Sequence, residues 1–215
     1  PKSLVITEPP IAKFGISSPY CIGQAISFTD SSSAPNSTLT KWTWDFGDGS
    51  APVVVNSNAP QTHTYASAGA YTVTLLVENA LGCKSIAFPQ VITVSPNPVT
   101  DFRFGKACLP AGAVQFTDAS TIADGTQNLF TYNWDFNDGG SSTQKDPSHN
   151  FATVGPFNVS LQITSSAGCV AAITKNVDSV YAQPQAGFTA NAEVCTGTAI
   201  GFTDQSTAPK STIVG

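Results

Sequence analysis

The chain has 215 residues, of which 11% are charged and 41% are hydrophobic, and its net charge is −5. A typical soluble domain has about 25% charged residues, so we expect a surface built mainly of Ser, Thr, Asn, Gln and Gly. The basic residues form no cluster that could neutralise phosphates, so nucleic acid is excluded as an expected partner. No apolar run reaches the roughly 18 residues that a membrane helix needs, so no membrane span is predicted in this segment.

The first element in chain order is a strand-like segment at residues 1–8. Residues 2–7, which two prolines follow, resemble residues 90–94, which Pro96 and Pro98 follow. Because residues 90–94 close one copy of a repeating pattern, we predict that residues 1–8 are the last strand of a preceding module.

The rest of the chain repeats one pattern with a period of 87 residues. Cys21, Cys108 and Cys195 each open a segment that ends in Phe-Thr-Asp (108 − 21 = 87; 195 − 108 = 87). The first two copies also share, in one order, residues 44–49 with 134–139, 63–65 with 149–151, 69–75 with 155–161, and Gly82-Cys83 with Gly168-Cys169. Such a period is too long for a solenoid unit of about 20 to 50 residues. We predict modules at 9–96 and 97–183, and the first part of a third at 184–215.

Alternating apolar and polar residues predict half-buried strands, as in Tyr71, Val73 and Leu75. In the first module, the predicted strands are 12–17, 24–30, 40–46, 52–55, 60–65, 70–78 and 84–94. About seven strands fit an immunoglobulin-like sandwich of about 100 residues. The predicted fold class is all-β: tandem immunoglobulin-like sandwiches, arranged as a string by short proline-bearing linkers.

Three motifs in the first module resemble the signature of PKD domains. They are Trp-x-Trp-Asp-Phe-Gly-Asp-Gly at residues 42–49, His-x-Tyr at 63–65, and Gly-x-Tyr-x-Val-x-Leu-x-Val at 69–77. The second module has Tyr132, Asn137 and Phe151 at the positions of Trp42, Gly47 and Tyr65. The Phe-Thr-Asp and Gly-Cys segments resemble PKD modules of large surface proteins from gliding or predatory Bacteroidetes-type bacteria. The resemblance implies an extracellular or bacterial cell-surface location.

Two aspartates in each module lie where a strand runs into a turn: Asp45 with Asp48, and Asp135 with Asp138. Short carboxylates in such turns accept backbone N–H groups, so we predict a structural role and no cofactor. The alternative is a calcium site at Asp45 and Asp48, because Ca²⁺ prefers oxygen ligands.

The only histidines, His63 and His149, occupy equivalent positions in the two modules. A catalytic residue duplicated in every module is unusual, so we predict that each histidine locks a turn, with the aspartate turn as its partner. No hydrolase, zinc-protease or phosphate-binding motif is present, and we predict that this segment is not an enzyme.

Trp44 and Trp134 are predicted to fill the cores of the two modules. Trp42 lies two positions before Trp44, on the same face of the strand. Burial is expected for Trp42 as well, and contact with a sugar ligand is the alternative.

From the repeat we predict two disulfides, Cys21–Cys83 and Cys108–Cys169. The fifth cysteine, Cys195, is expected to bond to a partner beyond Gly215. Links between modules, such as Cys83–Cys108, remain the alternative. Either arrangement implies an oxidising, exported location.

Asp178-Ser179-Val180 fits the Asp-Ser/Thr-apolar tripeptide to which some Bacteroidetes-type bacteria attach glycans. A glycan on Ser179 is therefore a further expectation.

The leading functional hypothesis is a structural or adhesive repeat segment of a long extracellular protein or filament. Its partners would be neighbouring modules of the same chain, further copies in a homo-oligomer or fibre, and a glycan or other cell-surface ligand. The alternative is a spacer or substrate-binding module of a secreted protease or polysaccharide-degrading enzyme. Direct carbohydrate recognition is a third hypothesis, which predicts an exposed aromatic platform that includes Trp42.

Overall fold

A computed structural model describes residues 8–110, 112–190, 196–197 and 199–208. Of the strand predicted at residues 1–8, residues 1–7 lie outside the described residues. Cys195 also lies outside them.

The first repeat contains seven strands, which form two antiparallel sheets. They are β1 (Phe14–Ile16), β2 (Ala25–Asp30), β3 (Leu39–Asp45), β4 (Val53–Val55), β5 (Gln61–Thr64), β6 (Gly69–Asn79) and β7 (Phe88–Val94). The order is β1-β2-β5 in one sheet and β4-β3-β6-β7 in the other. Buried and more exposed positions alternate along β6, as the period-two pattern predicts.

The described residues of the second repeat contain nine strands and one 3₁₀ turn at Gln127–Leu129. The strands are β8 (Phe102–Phe104), β9 (Ala107–Leu109), β10 (Val114–Asp118), β11 (Thr131–Asp135), β12 (Ser141–Ser142), β13 (Ser148–His149), β14 (Phe157–Thr164), β15 (Val170–Val177) and β16 (Val180–Ala182). The sheets are β13-β10-β8 and β12-β11-β14-β15, and β16 pairs with β9 in parallel. The predicted all-β, immunoglobulin-like class is confirmed.

Beyond the second repeat, β17 (Phe188–Ala190) and β18 (Phe202–Asp204) form one antiparallel pair. Phe188 and Phe202 correspond to buried phenylalanines of the earlier repeats, but they are 70% and 66% exposed. The centroids of their rings are 5.6 Å apart.

The chain divides into two compact units that do not follow the repeat boundaries. The first contains the described residues up to Pro98 together with Ile122–Leu129 and Thr164–Val170. The second contains Val99–Thr121, Phe130–Ile163 and the described residues from Ala171 onward. The module boundaries at 9–96 and 97–183 stay predictions.

In the first unit, Trp44 is the centre of an aromatic core and is 1% exposed. Its ring centroid lies 5.1 Å from that of Phe14, 6.1 Å from that of Phe28 and 6.4 Å from that of Phe46. Large rings that pack edge-to-face bury much apolar area at one point, so this tryptophan joins the two sheets.

The second unit repeats this core around Trp134, which is fully buried. Its ring lies 5.0 Å from Phe102 and 5.5 Å from Phe116. The two repeats therefore bury the same aromatic positions despite their different strand lengths.

Candidate functional site: the aspartate turn and the cysteines

The turn after β3 is held by its own carboxylates. Asp45 Oδ1 accepts a 2.9 Å hydrogen bond from the backbone N–H of Gly47, and Asp48 Oδ1 accepts one of 3.0 Å from that of Ser50. Gly47 has φ of +75°, and a Cβ at this position would lie 2.4 Å from the carbonyl oxygen of Thr72. This turn therefore requires glycine at position 47 for both conformation and space.

His63 closes the turn from the neighbouring sheet. Its Nε2 lies 2.7 Å from Asp48 Oδ2, and its ring stacks on Phe46 with centroids 4.1 Å apart. The Tyr65 hydroxyl donates to the carbonyl oxygen of Phe46 at 2.9 Å. Hydrogen bonds from Ser50 and from His63 lower the pKa of Asp48 to about 2, against the opposing effect of burial.

The second repeat builds the same site. Asp135 Oδ1 accepts a 2.9 Å hydrogen bond from the backbone N–H of Asn137. His149 Nε2 lies 2.8 Å from Asp138 Oδ2, and its ring stacks on Phe136 at 3.9 Å. The structure thus brings together, twice, the histidine and the aspartate that the sequence places 15 and 11 residues apart.

Electrostatic effects in the two sites point the same way. Burial raises the pKa of Asp138, but hydrogen bonds from His149 and Gly140 outweigh it, so the pKa is lowered overall. Burial raises the pKa of Tyr65 in the first site. Outside the two sites, at the position equivalent to Trp42, burial raises the pKa of Tyr132 to about 12. These carboxylates are therefore anionic and these phenols neutral at physiological pH, which suits fixed hydrogen bonds rather than proton transfer.

Both oxygens of Asp48 already contact donors, because Oδ1 accepts from Ser50 and Oδ2 contacts His63. A calcium ion at Asp45 and Asp48 would have to displace these donors. Among the described residues, no group of three or more His, Cys, Asp or Glu side chains is arranged to hold a metal ion.

Trp42 is 5% exposed, and its face is not available to stack on a sugar. Its indole Nε1 is buried without a hydrogen-bond partner. At the equivalent position, the Tyr132 hydroxyl donates to Asp118 Oδ2 at 3.1 Å. The exposed platform that the carbohydrate hypothesis requires at Trp42 is absent.

The predicted disulfide pairing is wrong. Cys21 is bonded to Cys169, 148 residues away, with Cα atoms 5.7 Å apart. Cys108 is exposed and forms no disulfide with any described residue, so the alternative Cys83–Cys108 link is not formed either.

The reason lies in the register of the first repeat. Cys21 forms a parallel β-bridge with Ser95, the residue that follows β7. Because Val94, the last residue of β7, pairs with Gly69, the first residue of β6, Cys21 lies near the start of β6. Cys83 follows the other end of the 11-residue strand β6, which at about 3.3 Å per residue spans roughly 35 Å. The Cα atoms of bonded cysteines lie about 4.4–6.8 Å apart. A bond between Cys21 and Cys83 is therefore impossible within one sandwich.

Ser179, the residue expected to carry a glycan, is 5% exposed. Its hydroxyl donates to the carbonyl oxygen of Gly105 at 2.8 Å. A glycan at this oxygen would require both the burial and the hydrogen bond to be lost, so the expectation is not supported.

The sequence did not predict one contact, the ion pair between Lys175 and Asp101. Lys175 Nζ lies 2.5 Å from Asp101 Oδ1, donates to the carbonyl oxygen of Phe102 at 2.6 Å, and sits 5.1 Å from the centroid of the Phe102 ring. The Lys175 ammonium lowers the pKa of Asp101. No motif marks these residues, because they are 74 positions apart (175 − 101 = 74).

A family profile for the PKD domain matches residues 7–94 and again residues 95–180. The chain belongs to the PKD domain family. Residues 7–94 and 95–180 are therefore two PKD domains in tandem. No helix in the described part of the chain is long and apolar enough to cross a membrane.

Two curated proteins share one such PKD stretch with this chain. Microbial collagenase of Vibrio alginolyticus is 33% identical over 92 residues, which are 42% of this chain and 11% of the collagenase. Human polycystin-1 is 37% identical over 94 residues, which are 40% of this chain and 2% of polycystin-1. The chain thus spans only a small part of the relatives it matches.

Among solved structures, the PKD1 domain from the Vibrio cholerae metalloprotease PrtV is 26% identical, with a TM-score of 0.35. The match covers 40% of this chain and 98% of that domain.

Proposed function

We propose that this chain is a structural or adhesive repeat segment of a long extracellular surface protein or filament, whose PKD domains extend and display binding elements. The observation that carries the proposal is the Cys21–Cys169 disulfide, which joins the first repeat of the sequence to the second. A cross-link of this separation reduces the entropy of the unfolded chain, by about 5 kcal/mol in free energy if strain is small. It also favours an oxidising location, at the cell surface or outside the cell.

In each repeat the histidine Nε2 contacts an aspartate carboxylate and the histidine ring stacks on a phenylalanine, which supports a non-catalytic role. His63 is held between Asp48, the Phe46 ring and the edge of Tyr65. A general base must instead reach a substrate proton. We propose that these two domains supply no catalysis themselves.

Self-association through sheet edges is part of the proposal. Strand β4 is an edge of its sheet in the first repeat, and its residues Val53 and Val54 are 38% and 53% exposed. The equivalent edge β12 is the polar pair Ser141–Ser142. An exposed apolar edge can pair with a strand of another copy, and the low charge of the chain opposes this little.

The alternative function is a spacer or substrate-binding module of a degradative enzyme. It is supported by the names of two similar proteins, a microbial collagenase and a metalloprotease. It predicts a binding surface for collagen or a similar polymer on a monomeric chain.

Sedimentation of the chain with and without calcium separates these functions. A concentration-dependent oligomer that Val54→Lys abolishes supports the filament, and Ser142→Lys on the polar edge is the matched control. A chain that stays monomeric at every concentration contradicts self-association and leaves the spacer role. A change of sedimentation with calcium supports the site at Asp45 and Asp48.

A further inference from the structure

Each repeat carries one cysteine at either end of its sandwich. In the first repeat, Cys21 lies beside Ser95, at the start of β6, and the Gly82-Cys83 turn follows the end of β6. A cysteine pair separated by the length of a strand cannot close within its own sandwich, but either member can reach a neighbouring one.

The Gly-Cys turn has the same geometry in both repeats. Gly82 and Gly168 have φ of +80° and +83°, and each donates its N–H to the carbonyl oxygen three residues earlier, at 3.0 and 2.9 Å. A side chain accepts from the N–H of the cysteine in each, Asn79 Oδ1 at 3.0 Å and Ser165 Oγ at 3.1 Å. The turn is thus a preformed element that presents a cysteine.

In the first unit, such a turn is already seated on an opening cysteine. Thr164–Val170 belongs to this unit, and Cys169 within it is bonded to Cys21. A Cβ added to Gly168 would lie 3.4 Å from Pro19 Cβ, so the turn packs closely on the residues before Cys21. Both cysteines are fully buried.

Cys108 occupies the same place in the second repeat as Cys21 in the first. It lies in β9, which pairs in parallel with the final strand β16, opposite Tyr181. Cys21 makes a parallel bridge to Ser95 in the same way. The two differ in state, because Cys21 is buried in a disulfide and Cys108 is exposed without one among the described residues.

We propose that Cys108 is the attachment point for a further PKD domain, which it holds through a disulfide to the Gly-Cys turn of that domain. The partner is thus defined by its chemistry: a preformed turn with a positive-φ glycine followed by a thiol. The turn can come from the same polypeptide or from a second molecule. This inference deepens the proposed function as a repeat segment and rests on it.

The bond forms by two exchange reactions with a small-molecule disulfide such as oxidised glutathione. The Cys108 thiolate attacks that disulfide, forms a mixed disulfide and releases one glutathione thiol. The thiolate of the turn then attacks the Cys108 sulfur and releases the second glutathione. Two protein thiols are oxidised, one glutathione disulfide is reduced to two thiols, and the two protons lost by the protein thiols end on the two glutathione thiols.

The first test uses the 215-residue chain itself. Alkylation without reductant, followed by peptide mass spectrometry, should label Cys108 and leave Cys21 and Cys169 unlabelled. If Cys108 is instead found bonded to Cys83 or to Cys195, the proposal is overturned.

The second test supplies the missing turn. Residues 1–181 are followed directly by a second copy of residues 95–182 in which the copied Cys108 is replaced by Ser, so that only the original Cys108 is measured. This extension keeps the 87-residue period and places one more Gly-Cys turn after Cys108. In a glutathione redox buffer, alkylation of Cys108 should fall by about tenfold or more, with a peptide linking Cys108 to the copied Cys169. The matched control replaces the copied Cys169 by Ser and should restore labelling of Cys108.

The Cys21–Cys169 bond reports folding in every sample. If it forms while Cys108 stays a thiol in the extended chain, the attachment site is overturned and the proposed function stands. A Cys108 bond in a product of monomer mass supports a turn from the same polypeptide, and one in a product of dimer mass supports a turn from a second molecule. Failure of the filament function would show separately, in sedimentation of the chain.

Discussion

The aspartate turns of the two repeats reach the same geometry with different residues. The His–Asp contacts are 2.7 and 2.8 Å, yet the position of Gly47 is held by Asn137, with φ of +59°. Conversely, Ser50 in the first turn corresponds to Gly140, where a Cβ would lie 2.5 Å from the His149 ring. Each turn therefore requires its own glycine, and the shared element is the hydrogen-bonded pair rather than a glycine pattern.

The largest expected effect comes from exchanging residues at the first of these positions. Gly47→Asn should destabilise the first unit by about 3 kcal/mol, because the new Cβ would overlap the backbone of Thr72. The reverse change, Asn137→Gly, should alter the second unit by no more than about 1 kcal/mol. Hydrogen exchange followed by mass spectrometry measures each unit separately, and equal effects would contradict the comparison.

Replacing the histidines tests what the turns share. His63→Phe and His149→Phe keep a ring against the neighbouring phenylalanine but leave the aspartate without its partner. We expect each to cost about 1–2 kcal/mol in the free energy of unfolding of its own unit. Because the two contacts have matching geometry, a difference of more than about 1 kcal/mol between the variants would show that the sites are not equivalent.

The pH dependence of stability is a further test of the difference between the two turns. The pKa of Asp48 is lowered from 3.8 to about 2, so its contribution is present above pH 3.8 and is lost as the pH falls towards 2. Since this carboxylate is partly exposed, screening limits the loss to about 1 kcal/mol. Ser50→Gly places at position 50 the residue that the second repeat has there. It should raise the pKa of Asp48, because the hydrogen bond from the Ser50 hydroxyl is the largest cause of the lowered value. Titration by NMR of the Asp48 carboxyl carbon measures it, and an unchanged pKa would contradict this assignment.

The smallest effect is expected at Trp42. Its buried Nε1 has no partner, whereas the equivalent Tyr132 bonds to Asp118, and Asp30 is the matching acceptor in the first repeat. Trp42→Tyr should therefore change stability by less than about 1 kcal/mol, since a regained hydrogen bond offsets the lost apolar area. Trp44→Tyr, in the packed core, is the control and should destabilise far more. A large loss of stability in Trp42→Tyr would show that the packing of the indole ring contributes more to stability at this position than a hydrogen bond to Asp30 can restore.

Much of each site could be predicted from neighbouring residues. Turn chemistry placed Asp45 and Asp48 at the end of a strand, and the repeat showed that the histidine belongs to the same element in both copies. These inferences succeed because carboxylate turns and strand alternation depend on contacts within a few residues. The orphan indole of Trp42 and the Lys175–Asp101 contact depend on distant segments and left no local pattern.

By itself, the sequence determined the all-β class, the 87-residue period and the aromatic positions that fill the cores, because these follow from local alternation and from self-similarity. Only the tertiary structure decided the disulfide. Counting two cysteines per repeat suggested a bond within each, but the register of β6 with β7 places Cys21 and Cys83 at opposite ends of one sandwich. Disulfide pairing depends on distance in space. The length of strand β6 separates Cys21 from Cys83, and Cys21 is bonded to Cys169 instead.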